Sequence, residues 1–127
     1  MCKNLISRLV KTKGFTKIAD SFEKRPFPKG GQIIQTSVQV GFIRYRRCAF
    51  ILLDDKGIYI RIKYILKNFP TAFIPWNSIK ETQKARLYGR SAIRFDFENH
   101  NFPSISLYEK DLKKFNSQAG KRYLRTP

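Results

Sequence analysis

One histidine, two cysteines and nine acidic residues are all that this 127-residue chain contains of the side chains most used in catalysis. Each scarcity removes a class of chemistry. The lone His100 lies in the loop Asn99-His100-Asn101, and the nearest acids in sequence, Asp96 and Glu98, fall on a strand expected to face solvent. A histidine without an orienting partner is not a general-base system. Cys2 and Cys48 have no metal-ligand spacing and make a poor disulfide framework, which points to a reducing, cytoplasmic setting. Cys48 follows Arg46 and Arg47 but opens a continuous apolar run to Leu53, so it reads as an inert core thiol. Asp54-Asp55 has no further oxygen ligands nearby and reads as a turn former, not a metal site. Glycine-rich phosphate loops, HExxH pairs and nucleophile elbows do not occur. The expectation is a noncatalytic protein with no catalytic residues, no metal and no cofactor.

Long apolar runs are missing as well. No window approaches the ~20 apolar residues of a membrane-spanning helix. The basic stretch Met1 to Gly14 has only Leu5-Ile6 and Leu9-Val10 as apolar pieces, short of the roughly 7–15 apolar residues of a signal peptide. Neither export nor membrane spanning is expected.

Positive charge is what the chain has in excess. Lys and Arg number 26, for a formal net charge of +17, which repels like copies and attracts polyanions, acidic proteins and anionic lipid. With 42% hydrophobic residues there is enough apolar mass for one core, and a chain of this length buries about 65% of its unfolded surface. A basic N-terminal arm or short helix over residues 1–13 and one domain over residues 14–127 are predicted.

Periodicity sets the expected elements. Thr16 can cap a helix carrying Ile18, Ala19 and Phe22 on one stripe, ending before Pro26, and Pro26 to Gly31 then reads as a loop. From Gln32 the period changes to two, with Ile34, Thr36, Val38 and Val40 on one face of a strand that Gly41 interrupts as a bulge. Cys48 to Leu53 reads as a central strand, and the Asp54 to Gly57 turn, with Gly57 at positive φ, returns the chain through Ile58, Ile60 and Ile62 facing inward. Tyr59, Arg61 and Lys63 then face outward. A short strand Thr71 to Ile74 runs into Pro75, which ends the ladder, and Trp76 folds back as a core plug.

Ser78 and Glu81 have capping-box spacing, and residues 79–88 suit either helix or strand; one helical turn followed by a strand from about Thr82 to Leu87 is the reading adopted. Ile93, Phe95 and Phe97 alternate with Arg94, Asp96 and Glu98 in the next strand, and Ile105 with Leu107 continue the sheet. Ser106 with Glu109 forms a second capping box, opening a C-terminal helix with Tyr108, Leu112, Phe115 and Ala119 on its apolar stripe and Gly120 at its end. The fold class is α+β, mainly β: about seven antiparallel strands between an N-terminal and a C-terminal helix.

This order of strands, mid-domain Trp corner and closing helix resembles a small pleckstrin-homology-like barrel. Gly57-Ile58-Tyr59-Ile60, Phe69-Pro70 and Ile74-Pro75-Trp76-Asn77-Ser78-Ile79 also resemble a group of small bacterial proteins of unknown function, which carry a Gly-Leu-Tyr-Leu strand and an Ile-Pro-Trp-Ser-x-Ile corner. The likeness spans roughly Gly14 to Leu107 and departs where that group has His-Pro-Pro-Leu and this chain has Phe69-Pro70-Thr71-Ala72. It implies a fold and a bacterial cytoplasmic setting and supplies no catalytic residue; Gly57, Pro75 and Trp76 are read from the turn, the strand stop and the core plug as structural.

Function is therefore sought in the charge. Arg44, Arg46 and Arg47, with Arg61 and Lys63, form the first candidate partner-binding surface, because guanidinium groups make bidentate hydrogen bonds to carboxylate and phosphate. Lys80, Lys84, Arg86, Arg90 and Arg94, interleaved with Tyr88, form a second basic strip of the kind that holds single-stranded nucleic acid. The partner expected first is an acidic protein, as for an immunity protein that neutralises a cognate toxin of opposite charge. Nucleic acid and an anionic membrane surface are the alternatives.

Overall fold

The computed structural model describes residues 23–64, 67–68, 71–99 and 102–115. The expected N-terminal arm and helix, His100 and the expected helical residues Ala119 and Gly120 lie outside them. In chain order the elements are β1 (Glu23–Lys24), β2 (Ile34–Val40), β3 (Ile43–Leu53), β4 (Gly57–Tyr64), β5 (Lys67–Asn68) and β6 (Ala72–Pro75). A 3-10 turn (Trp76–Ser78) follows, then β7 (Ile79–Leu87), β8 (Arg90–Phe97), β9 (Ile105–Tyr108) and the six-residue helix α1 (Glu109–Lys114).

Eight strands form one antiparallel sheet in the order β1-β6-β4-β3-β2-β9-β8-β7, and β5 pairs the end of β4 outside this path. Among the described residues the sheet does not close on itself, so the expected barrel is observed as an open, mainly β sheet with β1 and β7 at its edges. Two meanders build it, β2 to β6 and β7 to β9. They join where Val38, Gln39 and Val40 pair with Leu107, Ser106 and Ile105.

Period-two patterning explains the core. Val38 and Val40, Tyr45, Ala49 and Ile51, Ile58, Ile60 and Ile62, Ile93 and Phe95, and Ile105 and Leu107 are all buried on the shared inner face. Burying one such Ile or Phe contributes about 1.5–3 kcal/mol. The opposite face of β4 is not the open cationic surface expected for it. Tyr59 is buried against Phe73, with ring centroids 4.8 Å apart, because residues 25–31 lie across this side of the sheet. There Arg25 sits over the Phe73 ring and Phe27 packs on the core.

The Trp corner is tied to the turn that precedes it by some twenty residues. Trp76 Nε1 donates to the Asp54 carbonyl at 2.8 Å, and Asp54 Oδ1 accepts from the Lys56 and Gly57 amides. The indole is buried and tilted against Phe95. Gly57 does not adopt the positive φ expected of it. Its requirement is close approach: a Cβ there would stand 2.2 Å from the Ile74 carbonyl oxygen across the β4–β6 pair.

Three further expectations are corrected by the pairing. Gly41 is not a bulge; at φ 62° it occupies, with Phe42, the two-residue turn between Val40 and Ile43. Residues 79–87 are strand throughout, since pairing with β8 along their length outweighs helical propensity. Ser106 caps nothing, because it is buried within β9, paired with both Gln39 and Arg94; α1 starts at Glu109 with no side-chain cap.

Candidate functional site

The ladder between β2 and β9 stops at Val38–Leu107, and beyond it β2 continues with β3 while β9 turns into α1. A cleft opens where they part. It measures about 470 Å3 and is lined by Gln35, Thr36 and Ser37 of β2, Arg46 and Arg47 of β3, Tyr88 and Arg90 of the β7–β8 hairpin, Tyr108 of β9 and Lys110 of α1. Four of these nine side chains are cationic and none is acidic.

Local backbone chemistry puts each of them there. The β2–β3 register passes from Thr36 opposite Ala49 to Val38 opposite Tyr45, so β3 carries two extra residues against Ser37. That bulge contains Arg47 at φ 55°. Its backbone is held on both sides: the Arg47 amide donates to Ser37 Oγ at 2.9 Å, and Gln35 Nε2 donates to the Arg47 carbonyl at 2.8 Å. The bulge re-aims Arg46 and Arg47, which regular alternation would send to opposite faces.

Across the cleft, Tyr88 at φ 50° and Gly89 at φ 76° make a two-residue hairpin turn of the kind that needs positive φ at both central positions. Tyrosine is a poor choice for this backbone, where Asn, Asp or Gly would be unstrained. Two guanidinium groups lie over its ring, Arg44 at 5.5 Å and Arg46 at 5.4 Å from the centroid. The floor is fixed by α1. Thr36 Oγ1 donates to the carboxylate of Asp111, which is 1% exposed, and Lys114 Nζ stands 3.7 Å from the same group. The Asp111 carboxylate beneath Thr36 is thus already engaged.

The structure divides the first candidate surface. Arg44, Arg46 and Arg47 gather at Tyr88 and the cleft. Arg61 instead lies half-buried between Phe27 and Phe50, at 6.0 and 5.5 Å from their centroids, and Lys63 faces solvent where β4 pairs β5. The second strip is divided too. Arg90 belongs to the cleft, whereas Arg94 is matched to Asp96 by an ion pair of 3.2 Å from Nε and a 3.3 Å hydrogen bond from Nη2. That Nε contact is too poorly aligned to count as a hydrogen bond. Arg86 Nη1 donates to the Gly89 carbonyl, and Lys80 and Lys84 are exposed on the edge strand β7. Lys110 was missed by sequence reasoning, which treated the helix as a cap; its only sequence signal was a cation in the first turn, where the helix dipole disfavours one.

Other sites carry less. Cys48 is half-buried against the core, and among the described residues no three His, Cys, Asp or Glu side chains converge as a metal site. No helix among them is long and apolar enough to cross a membrane. The chain matches no family model and no curated protein.

Proposed function

We propose that this protein is a noncatalytic binding module of pleckstrin-homology-like architecture that holds an acidic or otherwise anionic partner in the cleft between β2–β3 and the β7–β8 hairpin. Two antiparallel meanders followed by a helix support the architectural reading. One observation carries the site. Arg47 and Tyr88 are the two non-glycine residues at positive φ among those described, and both line this cleft. Left-handed backbone in bulky residues costs of order 1–3 kcal/mol each, and such strain persists where a side chain must be aimed at a ligand.

Charge supports the same conclusion. Arg46, Arg47, Arg90 and Lys110 repel one another without an acid among the lining residues, so the arrangement is unfavourable until an anion enters. A partner that presents several negative charges on a slender segment fits, and electrostatic steering speeds its arrival.

The test separates the site from the overall charge. Reversing Arg46, Arg47 and Arg90 to Glu is expected to abolish binding of polyglutamate and of inorganic polyphosphate in calorimetry. Reversing Lys63, Lys80 and Lys84, which are exposed outside the cleft, changes the net charge equally and is expected to leave most of the affinity. Equal losses in the two triple variants would reduce the cleft to a share of a general basic surface.

A further inference from the structure

Among the described residues three large apolar side chains are exposed, namely Ile33, Phe42 and Tyr88, and two of the three border the arginine row at the rim of the cleft. Phe42 is fully exposed at the tip of the β2–β3 turn. The tip is anchored, since the Gly41 amide donates to the Ser104 carbonyl at 2.7 Å and a Cβ on Gly41 would lie 3.3 Å from Pro103. A large aromatic ring wholly in water on a fixed turn contributes nothing to this fold. From the tip, Arg44 and Arg46 follow at alternate positions of β3, both lying over the Tyr88 ring, and Arg47, Arg90 and Lys110 continue into the cleft.

We infer that this row is a binding track for single-stranded nucleic acid, with a base against Phe42 and phosphates on Arg44, Arg46, Arg47 and Arg90, the Tyr88 ring holding Arg44 and Arg46 in place. The inference rests on the anionic-partner reading of the cleft and names the partner's class. Cations in line with an open ring suit a chain that alternates phosphate with a stackable base, and such stacking is tolerant of sequence. Phe42 lies about 13 Å along the strand from Arg46 at the usual rise per residue, so the track matches a short extended run and not a single small anion. An acidic peptide would satisfy the arginines but has no use for the open Phe42 ring. A bilayer is flat and cannot reach cations set inside a concave cleft. A duplex keeps its bases stacked, and α1, with six residues, is too short to serve as a groove-reading helix.

Fluorescence anisotropy with a labelled oligothymidine of about 12 nucleotides, inside the ~4–16 nucleotide range of single-strand sites, tests this. The comparison probes are a duplex of the same length and inorganic polyphosphate of equal charge. Phe42→Ala is expected to weaken oligothymidine roughly tenfold to a hundredfold, the worth of one stacked base, while leaving polyphosphate binding and the salt slope unchanged. Arg44→Ala and Arg90→Ala are each expected to lower the slope of log affinity against log salt by about 0.7.

If Phe42→Ala leaves oligothymidine unchanged, or the duplex binds as well as the single strand, the nucleic-acid inference is wrong. Polyphosphate binding that is still lost on reversal of Arg46 and Arg47 would then leave the anionic cleft standing alone. Insensitivity of both probes to that reversal overturns both readings. Phe42-dependent sedimentation with anionic vesicles, without Phe42-dependent oligonucleotide binding, assigns the tip to lipid and overturns the inference as well.

Discussion

Arg47→Gly is expected to stabilise the protein while weakening its grip on anions, and the magnitude follows from the backbone. Arg47 sits at φ 55°, where an L-residue carries about 1–2 kcal/mol of steric cost that glycine does not. Glycine returns part of this, about 0.5–1 kcal/mol, through the larger freedom of its unfolded chain. The hydrogen bonds that hold the bulge use the Arg47 amide and carbonyl, which the variant keeps. Removing one charge from a cleft with three other cations adds a further small gain. A net stabilisation of roughly 0.5–1 kcal/mol results, or a few degrees in Tm for a domain of this size.

Urea denaturation followed by the fluorescence of the single Trp76 measures it, with Arg47→Ala as the companion variant. Alanine removes the same charge but keeps the strain, so Gly minus Ala isolates the backbone term. At an ordinary strand position Gly is the less stable of the two by about 0.5–1 kcal/mol. Here the order should invert. Should Arg47→Gly prove no more stable than Arg47→Ala, the bulge stores no strain, and the argument that marks the cleft as a functional site loses its main support.

Trp76→Ala should cost about 3–5 kcal/mol in chemical denaturation, as expected for removing a buried indole, whereas Trp76→Phe should lose nearer 1–2 kcal/mol because the Asp54 carbonyl loses its donor. Gly57→Ala should destabilise by more than Gly30→Ala, since a Cβ at Gly57 meets backbone at 2.2 Å while Gly30 has open space around it and only its φ of 80° to oppose the change; a smaller loss at Gly57 would contradict the close approach of β4 and β6. Burial first, then the nearby Asp54 carboxylate, raises the Tyr59 phenol above its usual pKa near 10. The folded state therefore holds this proton more tightly than the unfolded one, so the stability it confers is complete below about pH 10 and is lost as pH rises through the higher folded value. Tyr59→Phe should remove that loss, measured by denaturation across the alkaline range beside tyrosinate absorbance; an identical alkaline decline in the variant would place the titration elsewhere.

Strand content was legible because it is written in local alternation: Ile58, Ile60 and Ile62, or Ile93, Phe95 and Phe97, announce their face without reference to the rest of the chain. The Trp76 plug was legible for the same reason, as a large apolar ring directly after a ladder-ending proline. What escaped depends on pairs far apart in sequence. Gly57 looks like any turn glycine until β6 is laid beside it, and Ser106 looks like a helix cap until β2 and β8 take up its two edges. Barrel closure was not legible on the same count, since it depends on how the edge strands β1 and β7 sit relative to each other, and no local pattern specifies that.

The candidate site follows the same division. Arg44, Arg46 and Arg47 could be picked out as a cluster in sequence, but adding Arg61 and Lys63 assumed that outward residues of paired strands share one surface. Phe50 is indeed opposite Arg61, yet Phe27 comes down over that guanidinium and removes it from any common patch with Arg47. Conversely Arg90 and Lys110 join the cleft only because β2 leaves β9 at Val38, which no composition or motif specifies. The positive charge of this chain is spread along most of its length, so charge alone could never single out a site. Strain can, because a left-handed Arg and a left-handed Tyr facing the same cleft are two separate costs that a selection for stability alone would have removed by a single change to glycine or asparagine.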